Sequence, residues 1–209
     1  MFTSITVSRP EGDAQQLMLL FHGVGSDAQD MVALGEQLAA AFPGAFIVSV
    51  QAPERFEFGP GYQWFSVNAV TEANRVERVA RALPAFVAAI QHWQHVAHVG
   101  IERTTLIGFS QGAIMALESA RARPCVAGRV VSIAGRFAQL PDTAPKETTV
   151  HLFHGQRDAV IPSALTVDAC ARLAALGAKV TADVVPDLGH GINATLLTVL
   201  IERLQNPLS

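Results

Sequence analysis

Short apolar runs closed by turn residues alternate along this chain with stretches of helical period, the pattern of a mostly parallel sheet covered by helices on both faces. Nearly continuous apolar runs predict strands at 17–21, 46–51, 104–109, 129–134, 149–153 and 179–185. Between them, Met31, Leu34, Leu38 and Phe42 recur on one helical face, and Val76, Val79, Leu83, Phe86 and Ile90 line a longer helix that Pro84 is expected to kink. Further helices are expected at 112–123, 163–176 and 194–204, the last turning Leu197, Leu200, Ile201 and Leu204 to the core. A short strand around 5–7 is expected to run antiparallel at the sheet edge. The fold class is α/β, and with no internal repeat, low-complexity tract or linker, one domain over 1–209 is expected.

Two connections differ from ordinary turns. Residues 52–71 carry closely spaced glycines and prolines in FGPGYQWFS without helical period, and their aromatics Phe56, Phe58, Tyr62, Trp64 and Phe65 argue for an ordered, functional loop. Residues 136–147, by contrast, are few and hold Pro141 and Pro145, so no cap domain is expected there.

Composition removes several alternatives. Half of the 209 residues are hydrophobic, enough for one well-buried core, while 16% are charged and the formal net charge is -3. There is no basic stripe for nucleic acid and no apolar run of the ~20 residues that a membrane span needs, so a soluble, cytoplasmic chain is expected. Cys125 and Cys170 are too few for a disulfide framework and are expected to be buried and inert. Metal-ligand spacing is absent and no cofactor is expected.

Candidate chemistry centres on Gly108-Phe109-Ser110-Gln111-Gly112, a G-x-S-x-G sequence that follows the apolar TTLIGF and runs into the helical AIMALESA. A serine on a tight strand-to-helix turn has its hydroxyl exposed above the sheet, and small neighbours let strand and helix pass closely. The hydroxyl is a weak nucleophile near neutral pH and needs a base, for which histidine titrates in the right range. Of seven histidines, His190 lies in DLGHG after the last strand and before the final helix. His92, His95 and His98 read as the polar face of a helix near its C-terminus, His151 as a strand residue, His154 as following that strand in a position to support the site but with no nucleophile of its own, and His22 as a brace for its loop. The acid that orients the base should fall between serine and histidine in chain order, which favours Asp158 in HGQRDAVIP; Asp187, close to His190, is the competitor. The oxyanion of an acyl-transfer intermediate needs fixed donors. The backbone N–H of Gln111 is one candidate and that of Val24, with Gly23 next, is the other, in a HGVGSD loop leading into a helix capped by Ser26 or Asp27.

With these pieces placed, the chain resembles the phospholipase/carboxylesterase family of small bacterial serine esterases, which includes acyl-protein thioesterases. The matching stretches are LLFHGVGSD, APERFEFGPGYQWFS, IGFSQGAIMAL, SIAGRF, LFHGQRDAVIP and DLGHGI, in the family's order and over nearly the whole chain. The resemblance implies an α/β-hydrolase fold, a metal-independent esterase or thioesterase with the triad Ser110, Asp158 and His190, and oxyanion donors at Val24 and Gln111. It also implies that Trp64 and Phe65 border the acyl pocket, although a lone tryptophan is a core residue as often as a pocket wall. Ala113 stands where the family has a second glycine, and HGVGSD replaces the commoner HGLGD. The substrate is expected to be a small ester or acyl thioester, and the oligomeric state stays open between monomer and homodimer. An amide-cleaving peptidase on the same fold and a catalytically idle binder of acyl ligands are the two alternatives.

Overall fold

In the computed structural model, which describes residues 4–122 and 124–206, the apolar runs become strands of one sheet. These are β1 (Ser4–Ser8), β2 (Gln16–Phe21), β3 (Ala45–Val50), β6 (Thr104–Phe109), β7 (Arg129–Ile133), β8 (Thr149–Gly155) and β9 (Val180–Val185). Two short strands, β4 (Glu54–Arg55) and β5 (Tyr62–Gln63), form a separate hairpin. The large sheet has the order β1-β3-β2-β6-β7-β8-β9, with β1 antiparallel to β3 and every other pairing parallel.

Both faces of the sheet are covered, which is why its strands lack polar alternation. From β2, Leu17, Leu19 and Phe21 enter one core with residues of α2 (Glu72–Ala97), α3 (Gln111–Ser119) and α4 (Ala164–Ala175). Met18 and Leu20 enter the other, with α1 (Val32–Ala41) and α5 (Ala194–Gln205).

α2 opens on a capping box in which the Thr71 and Asn74 side chains accept each other's backbone N–H. It runs through Pro84 as one element. Proline costs a helix about 3 kcal/mol. Full burial of Val79, Phe86 and Ile90 contributes about 1.5–3 kcal/mol each, so packing outweighs that cost. His98 adopts a left-handed conformation with φ 54 and caps this helix, so it stands just past the helix that it was expected to share with His92 and His95.

Two further expectations shift. α3 starts at Gln111 and ends at Ser119, four residues short of the expected end at Arg123, which itself lies outside the described residues. Its last turn tightens: Arg121 N–H donates to Glu118 O and Ala122 N–H to Ser119 O, bonds of 3₁₀ type. β8 continues to Gly155, which places His154 inside the strand. Cys125 is buried as expected, whereas Cys170 is only partly so. No helix among the described residues is long and apolar enough to cross a membrane.

The loop between β3 and α2 is tied down by its hairpin. Gly25 N–H donates to Tyr62 O and Tyr62 N–H to Ser26 O, both at 2.8 Å, so this hairpin pairs with the loop after β2. Gly61 permits the contact: it has φ 90, and a Cβ there would collide with the Gly25 carbonyl.

Candidate active site

Ser110 stands between the end of β6 and the start of α3 with φ 52 and ψ −113, a conformation that L-residues rarely adopt. The turn closes because its flanks are bare. A Cβ on Gly108 would meet the backbone of Gly112 and Ala113, and one on Gly112 would meet the carbonyl of Phe21. The Ser110 N–H donates to Ile133 O at 2.9 Å, pinning the turn to β7.

His190, on the loop between β9 and α5, reaches Ser110 Oγ through Nε2 at 2.9 Å and Asp158 Oδ2 through Nδ1 at 2.7 Å. The Asp158 carboxylate can only accept, so Nδ1 carries the proton and Nε2 is free to receive one from the serine. The other oxygen, Oδ1, accepts the N–H of Val160 at 2.8 Å and of Ile161 at 2.9 Å. Burial pushes this carboxyl upward, but the hydrogen bonds from His190, Ile161 and Val160 outweigh it and leave the group below the ordinary carboxylate range. Asp187 takes no part: it is exposed and ion-paired with Arg157.

A fourth side chain lies against the acid. Fully buried His154 donates from Nε2 to Ile161 O at 2.8 Å and lies 3.1 Å from Asp158 Oδ2, while its Nδ1 takes the Thr166 hydroxyl at 2.7 Å. The H-x-x-x-D spacing of HGQRD carried this signal, because strand β8 and the turn after it bring the two residues together.

Beside Ser110 lies an open cavity of about 530 Å³ whose apolar wall includes Phe65, Val70, Ile161 and Leu165. Val24 and Gln111 line it too, and among the described residues no protein acceptor takes the backbone N–H of either. Asp27, of the two capping candidates, closes the short helix after this loop by accepting Gln29 N–H at 2.8 Å.

Trp64 does not line the cavity, contrary to expectation. It is buried in the core against Phe21 and Phe86, and its indole N–H donates to His22 O at 2.9 Å. The side chain of Gln111, assigned no role from sequence, holds this segment: Oε1 accepts Trp64 N–H at 2.8 Å and Nε2 donates to Phe65 O at 2.7 Å. His22 also braces more than its own loop, since its Nε2 accepts Ala52 N–H at 3.0 Å and burial holds its pKa below the ordinary histidine value.

The phospholipase/carboxylesterase family matches this chain over residues 3–207. The chain belongs to that family. It is a hydrolase of the esterase class with the α/β-hydrolase fold. It is 46% identical over 199 residues to esterase YpfH of Escherichia coli, covering 95% of this chain and 86% of that protein. It is 26% identical to acyl-protein thioesterase 1 of Kluyveromyces lactis over 181 residues, 76% of each chain. The crystal structure of esterase PE8 superposes with a TM-score of 0.91 at 28% identity, covering 98% of both chains.

Within this carboxylesterase-family chain, the departure at Ala113 has a visible counterpart. Ala113 is fully buried, and a Cβ on Gly135 would collide with the Ala113 methyl group, so the facing loop needs glycine at this position.

Proposed function

We propose that Ser110, His190 and Asp158 act as a catalytic triad that hydrolyses carboxylic esters, and acyl thioesters of similar shape, through an acyl-serine intermediate. The observation that carries this reading is the continuous hydrogen-bonded line from Ser110 Oγ through the imidazole to Asp158, ending at a cavity. His190 Nε2 takes the hydroxyl proton as Oγ attacks the acyl carbon, and Asp158 stabilises the imidazolium that forms. The oxyanion accepts from the N–H groups of Val24 and Gln111. Collapse of this intermediate breaks the bond to the alkoxide or thiolate, which leaves with the proton from His190. Water then attacks the acyl-serine with His190 again as base, releasing acid and Ser110. No step calls for a cofactor.

The esterase name of the 46%-identical relative supports an ester as the substrate, and the thioesterase relative keeps thioesters within reach. The same reading takes the whole chain as one catalytic domain. A fluorophosphonate probe tests it: Ser110 becomes labelled and rates over p-nitrophenyl esters and acyl-CoA thioesters then rank the leaving groups. Absence of labelling would favour the idle binder.

The cavity wall gives a second expected result. Phe65→Ala should shift preference between acetyl and longer esters by about tenfold, since it removes cavity wall. Trp64→Ala should instead lower stability by about 3–5 kcal/mol and depress short and long esters alike. Thermal denaturation with kcat/KM over graded chain lengths checks both, and the reverse ranking would return Trp64 to the pocket.

A further inference from the structure

The cavity beside Ser110 is mostly apolar, yet three charged side chains, Glu72, Arg75 and Arg136, line it together. Arg136 grips the Glu72 carboxylate with both terminal nitrogens, at 3.0 and 2.8 Å, and its Nε donates to Phe137 O at 3.1 Å. Arg75 reaches the same carboxylate through Nη1 alone. Among the described residues no protein acceptor takes its Nε or Nη2.

The exposure of the three is uneven. The arginine side chains are 15% and 19% exposed, whereas that of Glu72 is 70% exposed. Two shielded cations thus share one carboxylate that sits largely in water, and the cluster keeps one positive charge in excess. These Arg75 donors are not sealed from water, so they stand ready to meet an anion in the cavity, and the planar fork of a guanidinium matches a carboxylate. Packing alone does not require this arrangement, because an apolar residue at position 75 would fill the wall without the charge.

We propose that the physiological substrate is an ester carrying a free carboxylate, which this cluster binds through the unused donors of Arg75 while Ser110 attacks the ester group. The proposal rests on the triad reading above. Glu72 holds both guanidiniums aimed into the cavity before substrate arrives, and it competes with the substrate carboxylate for them. The carboxylate can lie on the acid side of the ester or on its leaving group, since both portions meet at Ser110.

The test uses matched pairs. Monomethyl adipate against methyl hexanoate reads the acid side, and 4-acetoxybutanoate against butyl acetate reads the leaving group. In one pair the carboxylated ester should exceed the neutral one in kcat/KM by about tenfold or more, the preference shrinking as salt is raised. Arg75→Gln should bring that ratio close to one. Glu72→Gln should raise it, a direction that a purely structural role for the cluster does not produce. Slowing of fluorophosphonate labelling by adipate but not by hexanoate should follow the same order among the variants, and this readout serves even if none of the four esters turns over.

Ratios near one in both pairs, together with equal protection by adipate and hexanoate, would overturn the proposal while leaving the esterase reading intact. So would a ratio that neither variant moves. Failure of Ser110 to label, with no ester hydrolysed, would remove the esterase reading and this proposal with it.

Discussion

Ser110→Ala should fold normally and lose esterase turnover by about 10⁴-fold or more, because no other group in the cavity can form the acyl intermediate. Among the described residues the serine side chain makes one hydrogen bond, to His190 at 2.9 Å, so deleting its hydroxyl costs stability by only about 1 kcal/mol. The backbone strain stays, since alanine also carries a Cβ at φ 52. Ser110→Gly releases it and should be the more stable of the two by about 1 kcal/mol or more, though equally inactive. Rates on p-nitrophenyl acetate and melting curves for both variants provide the check. Retention of a tenth of the activity by either would remove Ser110 as nucleophile.

Asp158→Asn should lower turnover by about 10³–10⁴-fold at neutral pH, while Asp187→Asn stays near wild type. Asp158 accepts from Val160, Ile161 and His190, with His154 close on the same oxygen as His190. An amide there has one accepting oxygen where the site presents donors on both sides. If Oδ1 keeps the two backbone N–H groups, the NH₂ faces His190 Nδ1 and favours the tautomer with its proton on Nε2, which cannot act as base. The pH dependence follows from the sign of the Asp158 shift. A carboxyl held below its ordinary range stays ionised throughout the region where a histidine titrates, and its contribution to stability is present above the unfolded value, about 3.9, and lost only as pH falls through the lower folded one. Wild-type activity should therefore show no loss from protonation of Asp158 until pH falls below the ordinary carboxylate range, which a pH–rate profile checks. Inactivity of Asp187→Asn with an active Asp158→Asn would transfer the orienting role to Asp187.

What could be read from the chain alone was whatever is local or ordered along it. Strand positions followed from apolar runs, and the serine turn from two glycines whose Cβ atoms would strike backbone. Asp158 was preferred over Asp187 by chain order, and it lies on the histidine in the structure. The rest depends on contacts between distant segments. No periodicity reveals that Arg136 grips Glu72, 64 positions away, or that the Gln111 side chain reaches Trp64 and Phe65. Trp64 was misjudged because aromatics in a glycine-rich loop look alike in sequence. Here one faces the cavity and its neighbour turns into the core. The early end of α3 lay in the geometry of its last turn, since the residues at 120–122 are themselves compatible with helix.

The pairing of Gly25 with Tyr62 carries a consequence for motion. Neither amide can meet solvent unless the loop after β2 and the β4–β5 hairpin part together, so the two segments open as one cooperative unit, and their hydrogen-exchange rates should rise and fall in step. Val24 precedes Gly25 directly, so on the proposed oxyanion role of its N–H a bound acyl group should hold this unit shut. Protection should then spread to Tyr62, a residue that does not line the cavity.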